Sequence, residues 1–402
     1  MAFSGGGDSL VLLLGAKAWA DRRGRRLAAV TVDHRLRPAG ADWARWCKAR
    51  ALALGVEHDI VTWEGAKPTT GLAAAARGAR HVLLAEAARR RGAAVILMGH
   101  TADDRREAAA MRALGATTPS PREWAPSPVW PQGRGLFVLR PLLAIGRTRL
   151  RAVLTSLGET WIDDPANVDQ RSLRARVRAA PDASASEDSA PDDAAPAAFD
   201  AAGIQEGPAG DLTMSARCCR AADGAAATLG AALLCAAGAA RVPRRRSLDR
   251  LLTAAAAGRP FIAGLAGARV VGGDGGLHLV REVGAARPRD HADMVLSPGA
   301  ADVWDGRFEV IAREEGARIS FLAGRAARLP PTLRAAVLRT PAAIRPALPL
   351  VTYADGTVAC PTLAHSRRIQ VVSLALPRLL AAPGGILDEA TLRRMAKPPG
   401  PS

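Results

Sequence analysis

The sequence predicts an α/β fold: a doubly wound, mostly parallel sheet followed by a mixed α/β second region. One observation carries the first half. Short apolar runs alternate with helical periodicity from the start to residue 180, and strands alternating with helices imply parallel pairing through right-handed crossovers. The second observation is a change of character downstream, where short strand-like pairs joined by Gly-rich or Asp-Gly turns follow Ala-rich helical runs.

The elements read in order as follows. After the glycine loop SGGGDS (Ser4 to Ser9), LVLLLGAKAWADRRG has helical periodicity and closes on Gly24. LAAVTVD (Leu27 to Asp33) is a buried strand, and ADWARWCKARALALG a helix closed by Gly55. VEHDIVTW is a second strand, GLAAAARGARHVLLAEAARRRG a long helix, and AAVILMG a further strand. In such a sheet, ligands bind beyond the carboxyl ends of the strands, so the loops after Phe3, Val32 and Met98 are expected to gather there. Only Met1, Ala2 and Phe3 precede the glycine loop, where a fuller strand is expected.

The segment from Pro181 to Asp211 carries acidic residues, Pro, Ser and Ala with no Lys or Arg. It reads as a linker, which places a first domain at 1–180, the linker at 181–211 and a basic mixed α/β region at 212–402. In that last region, Met214 to Gly238 and Ser247 to Gly258 look helical, whereas Ala268 to Glu282 and Pro349 to Pro361 look like hairpins.

The chain of 402 residues, with 49% hydrophobic residues, is long enough for two or three domains. Its formal charge of +17 favours an anionic partner, although only four residues are lysine and the abundance of Arg and Ala is also a compositional bias. Five scattered cysteines form no CxxC pair, which excludes a disulfide framework and fits a reducing cytoplasm. No apolar run is long and uninterrupted enough to span a bilayer, so no membrane is expected as a partner.

Three motifs carry the chemistry. Consecutive glycines between a strand and a helix let successive backbone N–H groups turn towards one anion, and the helix adds its positive end. Ser4, Gly5, Gly6, Gly7, Asp8 and Ser9 fit such a phosphate cradle, without the GxxxxGK[ST] pattern of the Walker type. VDHRLRP puts Asp33 at the end of the second strand, where a nucleotide or metal can meet it. GHTADDRREA follows an apolar strand, with Gly99 allowing close backbone approach and Asp103 and Asp104 opening a helix that favours carboxylates electrostatically. Each also has an ordinary structural reading, as a tight turn, a solvated strand end and a helix cap.

Ser-Gly-Gly-x-Asp-Ser resembles the pyrophosphate loop of the PP-loop ATP pyrophosphatases, which implies an adenine nucleotide alpha hydrolase-like fold. Together with VDHRLR, GHTADD, LRPLL (Leu139 to Leu143), GRTRLRAVL from Gly146 and WIDDPANVDQRSLRARVR (Trp161 to Arg178), it resembles the tRNA(Ile)-lysidine synthetases over about residues 3 to 178. The resemblance implies a cytoplasmic ligase using ATP and Mg²⁺. The wobble cytidine of a tRNA(Ile) with a CAU anticodon would be adenylated on its carbon-2 oxygen, and free L-lysine would then displace AMP. It further implies that Ser4 to Ser9 hold ATP, that Asp33, His100, Asp103 and Asp104 are catalytic, and that Asp8 and Asp104 face Mg²⁺. Glu107, Arg140, Arg147, Arg174 and Arg178 are expected to contact substrate or phosphate, and 212–402 to bind tRNA. A homodimer is compatible with this reading.

The chain departs from the family pattern at Arg105, Ala108 and Leu173, where Gln, Thr and an aromatic residue are usual. The alternatives are a tRNA thiolase, which shares the loop but needs sulfur chemistry, and a non-catalytic RNA-binding relative. Cys47, the only cysteine in the first domain, falls in an amphipathic helix and reads as core.

Overall fold

The computed structural model describes residues 1–115, 120–163, 203–221, 224–239, 243–284 and 293–382. The described residues up to Asp163 belong to one compact unit, and those from Gly203 to Ala382 to a second.

The first unit runs α1 (Gly7–Arg23), β1 (Ala28–Asp33), α2 (Gly40–Ala53), β2 (Glu57–Thr62), α3 (Leu72–Arg90), β3 (Val95–Leu97), α4 (Ala102–Ala113), β4 (Trp124–Pro126), β5 (Phe137–Leu139) and α5 (Arg147–Ser156). β1 pairs in parallel with β2, starting from Ala28 opposite Glu57, and β3 in parallel with β5; β4 closes the far edge antiparallel to β5. Residues 1–3 join the two pairs. Ala2 bridges Val30 in parallel, Phe3 N–H donates to the Val30 carbonyl at 2.9 Å, and Ala2 N–H donates to the Leu97 carbonyl at 2.9 Å. The first strand is short, yet its backbone is hydrogen-bonded on both sides.

Period-2 alternation on β1 sends consecutive residues to opposite faces. Ala29 enters one apolar cluster with Phe3, Leu10, Leu13, Cys47 and Leu154. Val30 enters another with Leu84, Ala85, Ile96 and Val138. Helices α1, α2 and α5 therefore contribute to one face and α3 to the other. Leu10 and Leu13 are fully buried, each contributing about 1.5 to 3 kcal/mol, which fixes the start of α1 against the sheet.

The second unit contains a five-stranded antiparallel sheet in the order Ile204–Glu206, Leu212–Ser215, Gly276–Arg281, Ala268–Gly273 and Phe261–Leu265. The helices Ala225–Ala237 and Arg245–Ala256 contribute Leu229, Leu233, Leu248 and Leu251 to the core on this sheet. Smaller sheets of four and three strands complete the unit. Arg307 is fully buried there: its Nε donates to Asp305 at 2.6 Å, its Nη1 to the Ala209 carbonyl and its Nη2 to the Ala347 carbonyl at 3.3 Å.

Two expectations change here. The helix read from Met214 to Gly238 is a strand ending at Ser215 and two helices, Ala216–Arg220 and Ala225–Ala237. Ser215 is extended and its Oγ accepts the Cys218 N–H at 3.4 Å, a cap that starts a new helix in mid-pattern. The linker expected over 181–211 does not extend to Asp211: Ile204–Glu206 pairs with Leu212–Ser215, and Asp211 is buried against His278 Nε2 at 2.6 Å. Residues 181–202 lie outside the described residues. Both expected hairpins form, Ala268–Gly273 with Gly276–Arg281 and Pro349–Thr352 with Val358–Ala359. Among the described residues, no helix is long and apolar enough to cross a membrane.

Candidate active site

The chain leaves the first strand at Ser4 and enters α1 at Gly7, and the turn between them requires glycine. Gly5 has φ +80°, and a Cβ there would lie 2.6 Å from Ile162 Cδ1 and 2.9 Å from Cys47 Sγ. The two serines of the motif tie the loop to itself. Ser9 Oγ donates to the Gly6 carbonyl at 2.8 Å, accepts the Ser4 N–H at 3.3 Å and lies 3.2 Å from Ser4 Oγ. Ile162 N–H donates to the Gly5 carbonyl at 3.0 Å, so the segment after α5 is fastened to the loop.

The third motif reaches the same place because of Gly99. A Cβ on Gly99 would meet three backbone atoms at the start of α1, Asp8 O, Ser9 N and Ser9 Cα, each at 3.2 Å. Thr101 then begins α4, and Asp104 Oδ2 accepts both its backbone N–H (2.9 Å) and its hydroxyl (3.1 Å). This holds the buried Asp104 side chain in one rotamer.

A cleft of about 900 Å³ brings the motifs together. Its lining includes Ser4, Gly6, Gly7, Asp8 and Ser9 from the loop, Asp33 at the end of β1, His100 and Asp104 from the third motif, and Arg147 at the start of α5. Three carboxylates converge on the Arg147 guanidinium: Asp8 at 2.9 Å, Glu107 at 3.5 Å and Asp104 at 3.7 Å. Burial raises the Asp8 carboxyl pKa even though Arg147 pulls it down, with Asp104 adding to the rise. Burial opposes the Arg147 charge, but Asp8, Asp104 and Glu107 outweigh it and strengthen the cation.

Other expected residues take different positions. Asp103 does not line the cleft; its Oδ2 accepts the Arg147 backbone N–H at 2.7 Å and its Oδ1 accepts from Arg106 at 2.9 Å. Burial acts to raise the Asp103 pKa, and these two donors outweigh it and hold the carboxyl below its ordinary value. Asp103 thus caps α5 instead of facing the cleft. Glu107 is buried behind Arg147. Arg140, expected on phosphate, donates from Nε to His100 Nδ1 at 3.0 Å and from Nη1 to the Arg122 carbonyl at 2.7 Å. Asp33 accepts the Arg35 N–H at 2.9 Å, and Gly40 leaves room for it, since a Cβ there would stand 3.0 Å from Asp33 Oδ1. Arg174 and Arg178 lie outside the described residues.

The cleft also uses His34, Trp43, Arg80, Arg151 and Ile162, which the motifs alone did not single out. Arg151 had a visible signal: it stands four residues after Arg147 on one helix and so shares its face. Cys47 is buried beneath the loop, and burial pushes its thiol pKa up to about 11, which leaves no nucleophilic thiolate at neutral pH.

A strand, a glycine turn with its two serines, and acidic and basic groups gathered at the strand ends define a PP-loop nucleotide-binding domain. The PP-loop domain family matches residues 1–181. The tRNA(Ile)-lysidine synthase of Caulobacter vibrioides is 43% identical across 98% of this chain and 94% of its own length. The synthase of Brucella anthropi is 35% identical over 77% of this chain and 73% of its own, and that of Rhizobium meliloti 46% identical over 44% and 42%. The chain belongs to the tRNA(Ile)-lysidine synthase family. Among solved structures, the U34-tRNA thiolase of Methanococcus maripaludis covers 44% of this chain and 61% of its own at 19% identity, with a TM-score of 0.38.

Proposed function

We propose that the chain is a tRNA(Ile)-lysidine synthase, built on a doubly wound sheet and acting in the cytoplasm on tRNA(Ile) with a CAU anticodon. The cleft shared by Ser4, Gly6, Gly7, Asp8, Ser9, Asp33, His100, Asp104 and Arg147 carries this reading. In the first step the cytidine carbon-2 oxygen attacks the α-phosphorus of ATP and pyrophosphate leaves. In the second, an amino group of free L-lysine attacks carbon 2, AMP leaves, and the nitrogen loses a proton.

The chain's residues suit both steps. The backbone of Gly6 to Ser9 opens α1 and cradles the departing pyrophosphate, with fixed dipoles aimed at developing charge. Arg147 and Arg151 supply guanidinium forks for phosphate oxygens. Asp33, across the cleft, is placed for the lysine or nucleotide amine. Among the described residues no group of three or more His, Cys, Asp or Glu side chains could hold a metal ion. The pair Asp8 and Asp104 nevertheless fits Mg²⁺, which takes one or two carboxylates and completes its shell with phosphates and water. Bound there, Mg²⁺ would supply charge neutralisation of the phosphates. Residues 212–402 take the role of holding tRNA, in keeping with the overall charge of +17.

The test supplies purified protein with ATP, Mg²⁺, radiolabelled lysine and a CAU tRNA(Ile) transcript. Label entering the tRNA is the expected result. ATP cleavage or tRNA retention without label would overturn the proposal.

A further inference from the structure

His100 and Arg140 make a contact that the two-step scheme does not use. Arg140 follows β5, its own N–H bound to the Glu123 carbonyl at 2.8 Å and its Nη1 to the Arg122 carbonyl at 2.7 Å. Its remaining edge is thereby aimed, and Nε reaches His100 Nδ1 at 3.0 Å. His100 lines the cleft; Arg140 does not.

The chemistry of this contact is restrictive. A guanidinium has donors and no acceptor. Burial pushes the Arg140 pKa down to about 10, with Arg77 and Arg122 adding to the fall, yet the group is still a cation at neutral pH. The atom facing it must therefore be an acceptor, which requires Nδ1 to carry no proton. An imidazolium would set two N–H donors against each other beside a like charge. The neutral ring then holds its one proton on Nε2.

We infer that Arg140 is a positioning residue that locks His100 as the neutral Nε2–H tautomer, so that His100 serves the reaction as a hydrogen-bond donor to a substrate oxygen and not as a proton-abstracting base. The same logic of a neutral imidazole used as an electrophile is known from triosephosphate isomerase. The inference rests on the proposed function for the identity of the reaction, but not for the state of the ring.

The experiment labels histidine with ¹⁵N in the full-length protein and assigns His100 by the signal lost in His100→Gln. At pH 7 the expected pattern is a protonated Nε2 and an unprotonated Nδ1, as the contact requires, and the split between kcat and KM below separates a role in the reaction from a purely structural one. Arg140→Met should release the ring into a mixture of tautomers and lower kcat for lysine incorporation by about 100-fold, the scale of a lost oxyanion donor, with KM for ATP unchanged. Arg140→Lys, which keeps a cationic donor, should restore part of the Nε2–H population and of kcat. An Nδ1–H tautomer or an imidazolium in the wild-type protein would overturn the inference even if Arg140→Met failed to fold. So would a kcat unchanged in Arg140→Met. Absent lysine incorporation with the expected tautomer would instead overturn the proposed reaction and leave the positioning role standing.

Discussion

Replacing Gly5 by alanine probes the loop at its tightest point. The residue sits at φ +80°, where a Cβ costs about 1 to 2 kcal/mol in backbone strain. The new methyl would also stand 2.6 Å from Ile162 Cδ1 and 2.9 Å from Cys47 Sγ, distances that force both side chains to move. Overpacking of this kind costs about 1 to 3 kcal/mol. Together the two terms give a loss of about 2 to 5 kcal/mol, or a drop in Tm of about 5 to 15 °C for a unit of this size. Ile162 N–H is bonded to the Gly5 carbonyl, so its displacement also moves the loop, and KM for ATP should rise with the loss of stability. Gly15→Ala is the internal control. Gly15 lies in the middle of α1, where an added methyl would have no atom within 4 Å, so that change should raise stability by about 0.5 to 1 kcal/mol. Thermal melts and ATP titration read both variants. A Gly5→Ala protein as stable as its parent, with unaltered KM, would contradict this account of the loop.

Further outcomes follow from the same contacts. Asp104→Ala should abolish lysine incorporation and leave tRNA retention intact, measured by filter binding; surviving incorporation would remove Asp104 from the catalytic set. Arg147→Met leaves Asp8, Asp104 and Glu107 without their shared guanidinium and should weaken ATP binding, whereas Arg147→Lys, lacking the fork, should recover only part of it in calorimetric titration. Asp103 has a depressed carboxyl pKa, so its stabilising effect is complete above the unfolded value near pH 4 and is lost as pH falls through the folded one. Acid denaturation curves of Asp103→Asn should accordingly be flatter below about pH 4 than those of the parent. Arg307→Met strips a fully buried cation from Asp305 and from two backbone carbonyls. Denaturant melts should then show a loss of about 3 kcal/mol, and a change under about 1 kcal/mol would contradict the assigned role.

The first unit was legible because its signals are local. Apolar strand runs, helix-closing glycines and the SGGGDS, VDHRLR and GHTADD motifs each depend on neighbours in sequence, and the elements fall close to where periodicity puts them. What motif reading missed was direction. Asp103 and Asp104 are adjacent and chemically alike, yet one caps α5 and the other caps α4 and faces the cleft, a difference set by where Arg147 lies 44 residues away. Arg140 could not be told from a phosphate ligand until its distance to His100 was known. In the second unit, the Ala-rich helical pattern concealed the break at Ser215, since only Met214 and Ser215 of the strand Leu212–Ser215 fall at its start and two residues are too few to show a period of two. Ile204–Glu206 is three residues long, too short to show a period within an acidic, Pro-rich stretch.

Three helices open on the cleft, α1 at Gly7, α4 beside His100 and α5 at Arg147. Each helix start carries about half a positive charge in its backbone dipoles; at α5 and α4 the Asp103 and Asp104 carboxylates accept from the first N–H groups, whereas Gly6, before α1, has no side chain to cap with. This charge does not titrate, and no substitution that keeps the helices intact removes it. Part of the cleft's attraction for an anion therefore stays written in the backbone.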